Sequence, residues 1–190
     1  MNDLIQKIKE RLPRLEDNAS HTFGNIPRYA AVMIAMYHID NELYLPFILR
    51  PAYEGVHSGQ VAFAGGKREE YDLSEIHNAM REAEEEIGIR IPYEQIIGTM
   101  PNIYVIPSNM LVTPVLAYLP ERPSFVIDPK EVDKVLEIRV SDLLNPANHS
   151  KKQVLMPNHV QMSFPSYLVQ GVEIWGATGR ILGEFFKLIT

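Results

Sequence analysis

The stretch GGKREEYDLSEIHNAMREAEEEIGI, Gly65 to Ile89, constrains this chain most, because it joins a glycine pair to a helix whose charges break the ordinary rules of helix stability. Ile76, Met80, Ala83 and Ile87 recur at helical spacing and form one apolar stripe for packing on a core. Glu82, Glu85 and Glu86 stand at i, i+3 and i+4, so at about 100° per residue they share one ridge, roughly 125° from the centre of that stripe. Like charges so spaced repel by about 0.2–0.5 kcal/mol per pair. They also fall in the last turns, where the macrodipole favours cations. A bound divalent cation is the simplest compensation, since hard ions such as Mg²⁺ take oxygen ligands from a few carboxylates and from substrate phosphates. For an isolated acidic run the alternative is a solvated face; the sequence ahead of this one weighs against that.

That approach reads LRPAYEGVHSGQVAFAGGK. Gly55, Gly59, Gly65 and Gly66 permit close approach of main-chain N–H groups to an anion. Arg50, His57 and Lys67 supply donors for phosphate, Arg50 in a bidentate fork, with Ser58 and Gly59 beside them. Each cation has a structural alternative: Arg50 as a strand-end side chain with its head in solvent, His57 as a satisfied turn residue.

The glycine pair and helix resemble the Nudix box, G-x5-E-x7-R-E-U-x-E-E-x-G-U with U aliphatic. Gly66 stands for the first glycine, Arg81-Glu82 for R-E, Ala83 for the aliphatic position, Glu85-Glu86 for E-E and Gly88-Ile89 for the closing pair. Asp72 replaces the first glutamate, and eight residues rather than seven separate it from Arg81. The longer spacing fits the coenzyme A pyrophosphatase branch of the family. The approach resembles that branch's additional motif, L-L-T-x-R-(S/A)-x3-R-x3-G-x3-F-P-G-G, at Leu49-Arg50, Ala52, Gly59, Phe63 and Gly65-Gly66. It departs where Ala64 replaces the proline and where the second arginine has no counterpart, His57 being the nearest basic side chain.

The resemblance implies an α/β/α sandwich with a mixed β-sheet, and metal-dependent hydrolysis of a diphosphate bond. Glu82, Glu85, Glu86 and the Gly66 carbonyl would hold Mg²⁺ or Mn²⁺, and Arg81 would orient the carboxylates. Coenzyme A or an acyl derivative is the implied substrate, with 3′,5′-ADP and a 4′-phosphopantetheine species as products. ADP-ribose, a dinucleotide or a damaged nucleoside triphosphate is the alternative within the same chemistry; a non-catalytic Nudix-fold binding module is the alternative outside it. The family commonly takes a further carboxylate from a loop outside the box, and Glu131 is placed for that role or is an ordinary loop glutamate. Ser108 and Asn109, in a polar turn, suit substrate contact and turn chemistry equally.

The remaining sequence reads as one domain over residues 1–190 with an added amphipathic helix at about residues 2–12, marked by Leu4, Ile5, Ile8 and Leu12 and ended by Pro13. Residues 30–37 and 43–49 predict a hairpin turning at Asp40-Asn41, and residues 61–63 a short strand that delivers the acidic helix to a sheet edge. Residues 96–105 and 111–119 predict two further strands, and residues 122–130 a proline-containing surface loop. A strand through Val140, a short helix capped by Ser141, a hairpin over 151–156 and 159–169, and a final helix with Trp175 in the core complete the expectation.

The formal charge of −6 opposes general nucleic-acid binding, which needs a basic surface, and leaves a phosphorylated small molecule to be bound through metal and a few local cations. The chain contains no cysteine, so disulfide and thiolate chemistry are excluded and a reducing compartment fits. No apolar signal core opens the sequence and no apolar run is long enough for a bilayer, so a cytoplasmic protein without a membrane partner is expected; a homo-oligomer is compatible with all of this.

Overall fold

The computed structural model describes residues 2–12, 26–51, 59–155 and 161–190. In chain order these form helix α1 (Asn2–Arg11), strands β1 (Arg28–Ile39), β2 (Glu42–Leu49), β3 (Val61–Ala62) and β4 (Gly65–Lys67), and helix α2 (Glu75–Ile87). There follow β5 (Ile96–Thr99), β6 (Ile103–Val105), β7 (Met110–Tyr118), β8 (Lys134–Arg139), α3 (Val140–Leu144), β9 (His149–Leu155), β10 (Gln161–Val169), β11 (Val172–Ile174) and α4 (Gly176–Ile189).

Among the described residues, β1 to β8 make one mixed sheet in the order β3-β2-β1-β7-β5, with β4 also on β1, β6 on β7 and β8 on β2. The long strand β1 is its axis. It runs antiparallel to β2, turning through Asp40 and Asn41 at φ 50° and 66°, the left-handed conformation a tight hairpin requires. It runs parallel to β7 from Arg28↔Met110 to Met36↔Tyr118.

Alternation along β1 fills two cores, one per face. Ala31, Met33, Ala35 and Tyr37 pack with Ala79, Ala83 and Ile87 of α2. Ala30, Ile34 and Met36 pack with Ile8 of α1 and with Ile181, Leu182 and Phe185 of α4. The result is the α/β/α sandwich with a mixed sheet. On the second face α1 also serves α4: Lys7 Nζ donates to the Ile189 carbonyl at 2.9 Å, and Arg11 Nη1 to the Lys187 and Leu188 carbonyls at 3.3 Å each. These cations meet the negative end of the α4 dipole.

The structure corrects several expectations. The glycine pair is a strand, β4, paired with central β1 rather than leading to a sheet edge, because a Cβ-free segment can lie flush on its neighbour. The strand expected over 96–105 is two, with Met100–Asn102 between them. Ser141 does not cap α3; Arg139 precedes the helix without a side-chain cap, and the Ser141 hydroxyl donates to Glu42 at 3.3 Å. The late hairpin gains a third strand, β11, and forms a separate sheet ordered β11-β10-β9. Trp175 is half-buried outside the core, with Lys152 Nζ 4.4 Å above its ring.

Candidate active site

Helix α2 begins where the Ser74 side chain accepts from the His77 N–H and ends at Gly88, φ 73°, whose N–H reaches back to the Ala83 and Glu84 carbonyls. The loop after β7 docks on this end: Val126 N donates to the Ile87 carbonyl and Asp128 N to that of Glu86, each at 3.0 Å. The surface loop expected from its prolines thus closes the helix, and its amides answer the carbonyl partial charge that three nearby glutamates would otherwise face.

The acidic ridge lies against β4. Glu82 is 9% exposed and Glu86 is 2% exposed, whereas the Glu85 side chain is 56% exposed. The ridge is therefore two buried carboxylates and one outer one. Burial is possible because β4 presents backbone. Gly65 N donates to Glu86 Oε2 at 2.8 Å, and a Cβ on Gly66 would lie 2.4 Å from Glu82 Oε1. A Cβ on Gly65 would lie 2.4 Å from the Ala31 carbonyl oxygen, so neither glycine can carry a side chain in this arrangement.

Arg81 ties the ridge to the loop before the helix. Its Nε and Nη2 donate to the two oxygens of Asp72 at 3.1 and 2.9 Å, and its Nη1 donates to Glu85 at 2.7 Å and lies 2.9 Å from Glu82 Oε1. Nη2 also reaches the Lys67 carbonyl at 3.1 Å and Asn78 Oδ1 at 3.0 Å. Asp72 is buried, accepts from the Glu69 N–H at 2.9 Å and faces His77 Nδ1 at 3.1 Å. The Arg81 guanidinium above all holds its carboxyl at about 2. Sequence reasoning noted Asp72 only as a departure and missed Asn78, whose amide joins Arg81 to the Gly66 carbonyl at 3.3 Å. Their signal was position: Asp72 fills the box's first carboxylate, and Asn78 lies one turn before Glu82.

Electrostatically the ridge is under-compensated. Burial raises the Glu86 carboxyl to about 7, opposed by the Gly65 N–H and by Arg50 and reinforced by Glu82 and Glu131. Burial likewise raises Glu82, with Arg81 opposing and Glu85 and Glu131 adding to the effect. Arg50 lies at the end of β2 with Nη2 3.8 Å from Glu86 Oε1. Glu131 is exposed on the docked loop, close enough for its charge to act on both buried glutamates.

Four elements thus bring Arg50, Gly66, Arg81, Glu82, Glu85, Glu86 and Glu131 together, with Lys67 exposed at the end of β4. Gly59 takes φ 63° in the approach, while His57 and Ser58 lie outside the described residues. Ser108 and Asn109 are engaged by their own turn: Asn109 Oδ1 accepts from Tyr104 at 2.7 Å, its Nδ2 donates to the Ile26 carbonyl at 3.2 Å, and the Ser108 carbonyl accepts from Arg28 at 2.8 Å. Among the described residues no three His, Asp or Glu side chains converge as they would around a metal ion. Arg81 stands between Glu82 and Glu85, and a cation would compete with it for both. The donor set still fits a hard divalent ion, being all carboxylate and carbonyl oxygen with two of the carboxylates desolvated.

A mixed sheet carrying a buried acidic helix on a glycine strand is the arrangement that the resemblance in the sequence implies for a diphosphate-hydrolysing enzyme, and the comparisons with known proteins agree. No family model matches the chain. It is 31% identical over 189 residues to the mitochondrial coenzyme A diphosphatase NUDT8 of Mus musculus, covering 98% of this chain and 90% of that one. It is also 31% identical over 193 residues to an uncharacterized Nudix hydrolase, NudL, of Photorhabdus laumondii, covering 100% of this chain and 97% of that one. Its fold matches a MutT/nudix family protein from Enterococcus faecalis with a TM-score of 0.62 at 16% identity, over 97% of this chain and 74% of the other. The NUDIX domain of Shewanella oneidensis NrtR, solved with ADP ribose, matches with a TM-score of 0.60 at 14% identity, over 95% of this chain and 97% of the other. The chain belongs to the Nudix hydrolase family and is a Nudix pyrophosphohydrolase.

Proposed function

We propose that this enzyme hydrolyses the diphosphate bond of coenzyme A or acyl-coenzyme A, giving 3′,5′-ADP and (acyl-)4′-phosphopantetheine. The observation that carries the chemistry is the buried pair Glu82 and Glu86 on the Gly65-Gly66 backbone, with Arg50 and Arg81 beside it. The substrate rests on likeness along the chain to proteins named as coenzyme A diphosphatases, NUDT8 of Mus musculus and, at 31% identity over 178 residues, of Homo sapiens.

Glu82, Glu85, Glu86 and the Gly66 carbonyl would hold Mg²⁺ or Mn²⁺, with Glu131 joining from the docked loop. Bound there, the ion would offset charge on the diphosphate and would lower the pKa of a water for attack on phosphorus. Arg81, anchored by Asp72, orients Glu82 and Glu85. Arg50 would meet the phosphates from the end of β2, and Lys67, His57, Ser58 and Gly59 stay with it as the substrate-binding residues of this reading. We assign Ser108 and Asn109 to their turn rather than to substrate, since the Asn109 side chain is used at both ends. We also place the enzyme in the cytoplasm; no described helix is long and apolar enough to cross a membrane.

The test is incubation of the protein with Mg²⁺ or Mn²⁺ and coenzyme A, acetyl-coenzyme A, ADP-ribose, NADH or an oxidised dGTP, followed by chromatography of the products. Release of 3′,5′-ADP without comparable turnover of the others supports the proposal. Turnover of ADP-ribose alone eliminates it, and tight binding without turnover identifies a binding module.

A further inference from the structure

Asn78 lies in the first half of α2 and is fully buried, at 0% exposure. By local rules it is out of place, because an asparagine amide competes for backbone groups inside a helix and, once buried, requires partners of its own. Both ends of the amide have one. Oδ1 accepts from Arg81 Nη2 at 3.0 Å, and Nδ2 donates to the Gly66 carbonyl at 3.3 Å. A guanidinium only donates and a carbonyl only accepts, so these two neighbours fix which end of the amide is oxygen. One neutral side chain therefore ties Arg81 to the backbone of β4.

The Arg81 guanidinium has two working sides. Nε and Nη2 are held by the two Asp72 oxygens, by Asn78 Oδ1 and by the Lys67 carbonyl at 3.1 Å. Nη1 is the nitrogen that meets the acidic ridge, 2.7 Å from Glu85 Oε2 and 2.9 Å from Glu82 Oε1. Any cation taken by Glu82 and Glu85 has to displace Nη1 from both, and how readily Arg81 yields depends on what holds its other side. Asp72 supplies charge there. Asn78 supplies an acceptor whose place is set separately by Gly66, and it does so without adding a further carboxylate beside Glu82 and Glu85. We infer that Asn78 is a positioning residue, holding Arg81 on its Asp72 side so that Glu82 and Glu85 can be given up to a divalent cation. The inference rests on the metal-dependent reading above.

The test measures Mn²⁺ binding without substrate, from the electron paramagnetic resonance signal of the free ion. It compares wild type, Asn78→Leu, Asn78→Asp, Arg81→Met and the double variant Asn78→Leu/Arg81→Met, with thermal unfolding of each alongside. Nη2 shares its hydrogens among Asp72, Asn78 and Lys67, so losing one acceptor has the lower end of the effect of a charged hydrogen bond. That predicts about five- to tenfold weaker Mn²⁺ binding in Asn78→Leu. Asn78→Asp keeps an acceptor of the same size for Arg81 and binds Mn²⁺ no more weakly than the wild type. With Arg81 replaced there is nothing to hold, and Asn78→Leu then changes Mn²⁺ binding by less than about twofold. An asparagine that serves the fold alone gives equal losses in both backgrounds, and that result overturns the inference, as does unchanged binding in Asn78→Leu. Should Asn78→Leu not fold, Asn78→Asp decides: retained binding upholds the role of Asn78, and a five- to tenfold loss overturns it. A wild type that binds no Mn²⁺ overturns the metal reading itself, whereas a wild type that binds it leaves that reading standing whatever the Asn78 variants do.

Discussion

Gly66 shows how one missing side chain sets the chemistry. Its Cα abuts the Glu82 carboxylate, and a methyl there would sit 2.4 Å from Oε1. The carboxylate is the free end of a side chain, so Gly66→Ala displaces it at little cost in stability. Misplacement of a positioned group by about an ångström predicts a loss in kcat of about 10² with Tm nearly unchanged, checked by steady-state kinetics beside thermal unfolding. Asp72 contributes differently. Its carboxyl is lowered from 3.8 to about 2 by Arg81, so the stabilisation is complete above about pH 4 and is lost as pH falls toward 2. Asp72→Asn should cost about 2 kcal/mol at neutral pH and flatten the acid limb of stability over that window, which urea unfolding at a series of pH values measures. The sequence carried the box residues individually, but a helical projection gives only direction. It placed Glu82, Glu85 and Glu86 on one ridge; that two are buried depends on the backbone of β4 lying beneath them.

The acidic helix holds its position through both ends and one neighbouring loop. Its apolar stripe was readable from the spacing of Ile76, Ala83 and Ile87. The docking of the loop after β7 was not, because backbone amides leave no trace in residue type. Val126 shows this: its side chain is 71% exposed while its N–H is bonded to Ile87. The Val126 and Asp128 amides are therefore predicted to exchange slowly, with the protection of α2 itself, in a hydrogen-exchange experiment; exchange at the rate of an open loop would show that the helix end is not closed. The same logic explains why β4 is not evident as a strand: paired glycines look like turn residues until the strand they lie on is known.

Across the whole molecule, β1 divides the interior into a face that carries the acidic helix α2 and a face that carries α1 and α4. Ile8 is fully buried on the second face, away from the acidic helix. Ile8→Ala should cost about 2–4 kcal/mol in urea unfolding and leave kcat unchanged at temperatures where the protein stays folded. A parallel fall in kcat would show that the two faces are coupled. The unbroken apolar run of β1 suits a strand covered on both faces, whereas the separate three-stranded sheet was not legible, since β11 is a three-residue strand. What unites the molecule is delivery of two buried carboxylates onto a glycine strand. The most direct test follows product from coenzyme A by chromatography for wild type and Glu86→Gln, each with Mg²⁺ and with chelator. The account predicts 3′,5′-ADP from the wild type only when metal is present, and a rate at least about 10² lower in Glu86→Gln. Release of 3′,5′-ADP at a near wild-type rate by Glu86→Gln, or by either protein in chelator, would contradict it.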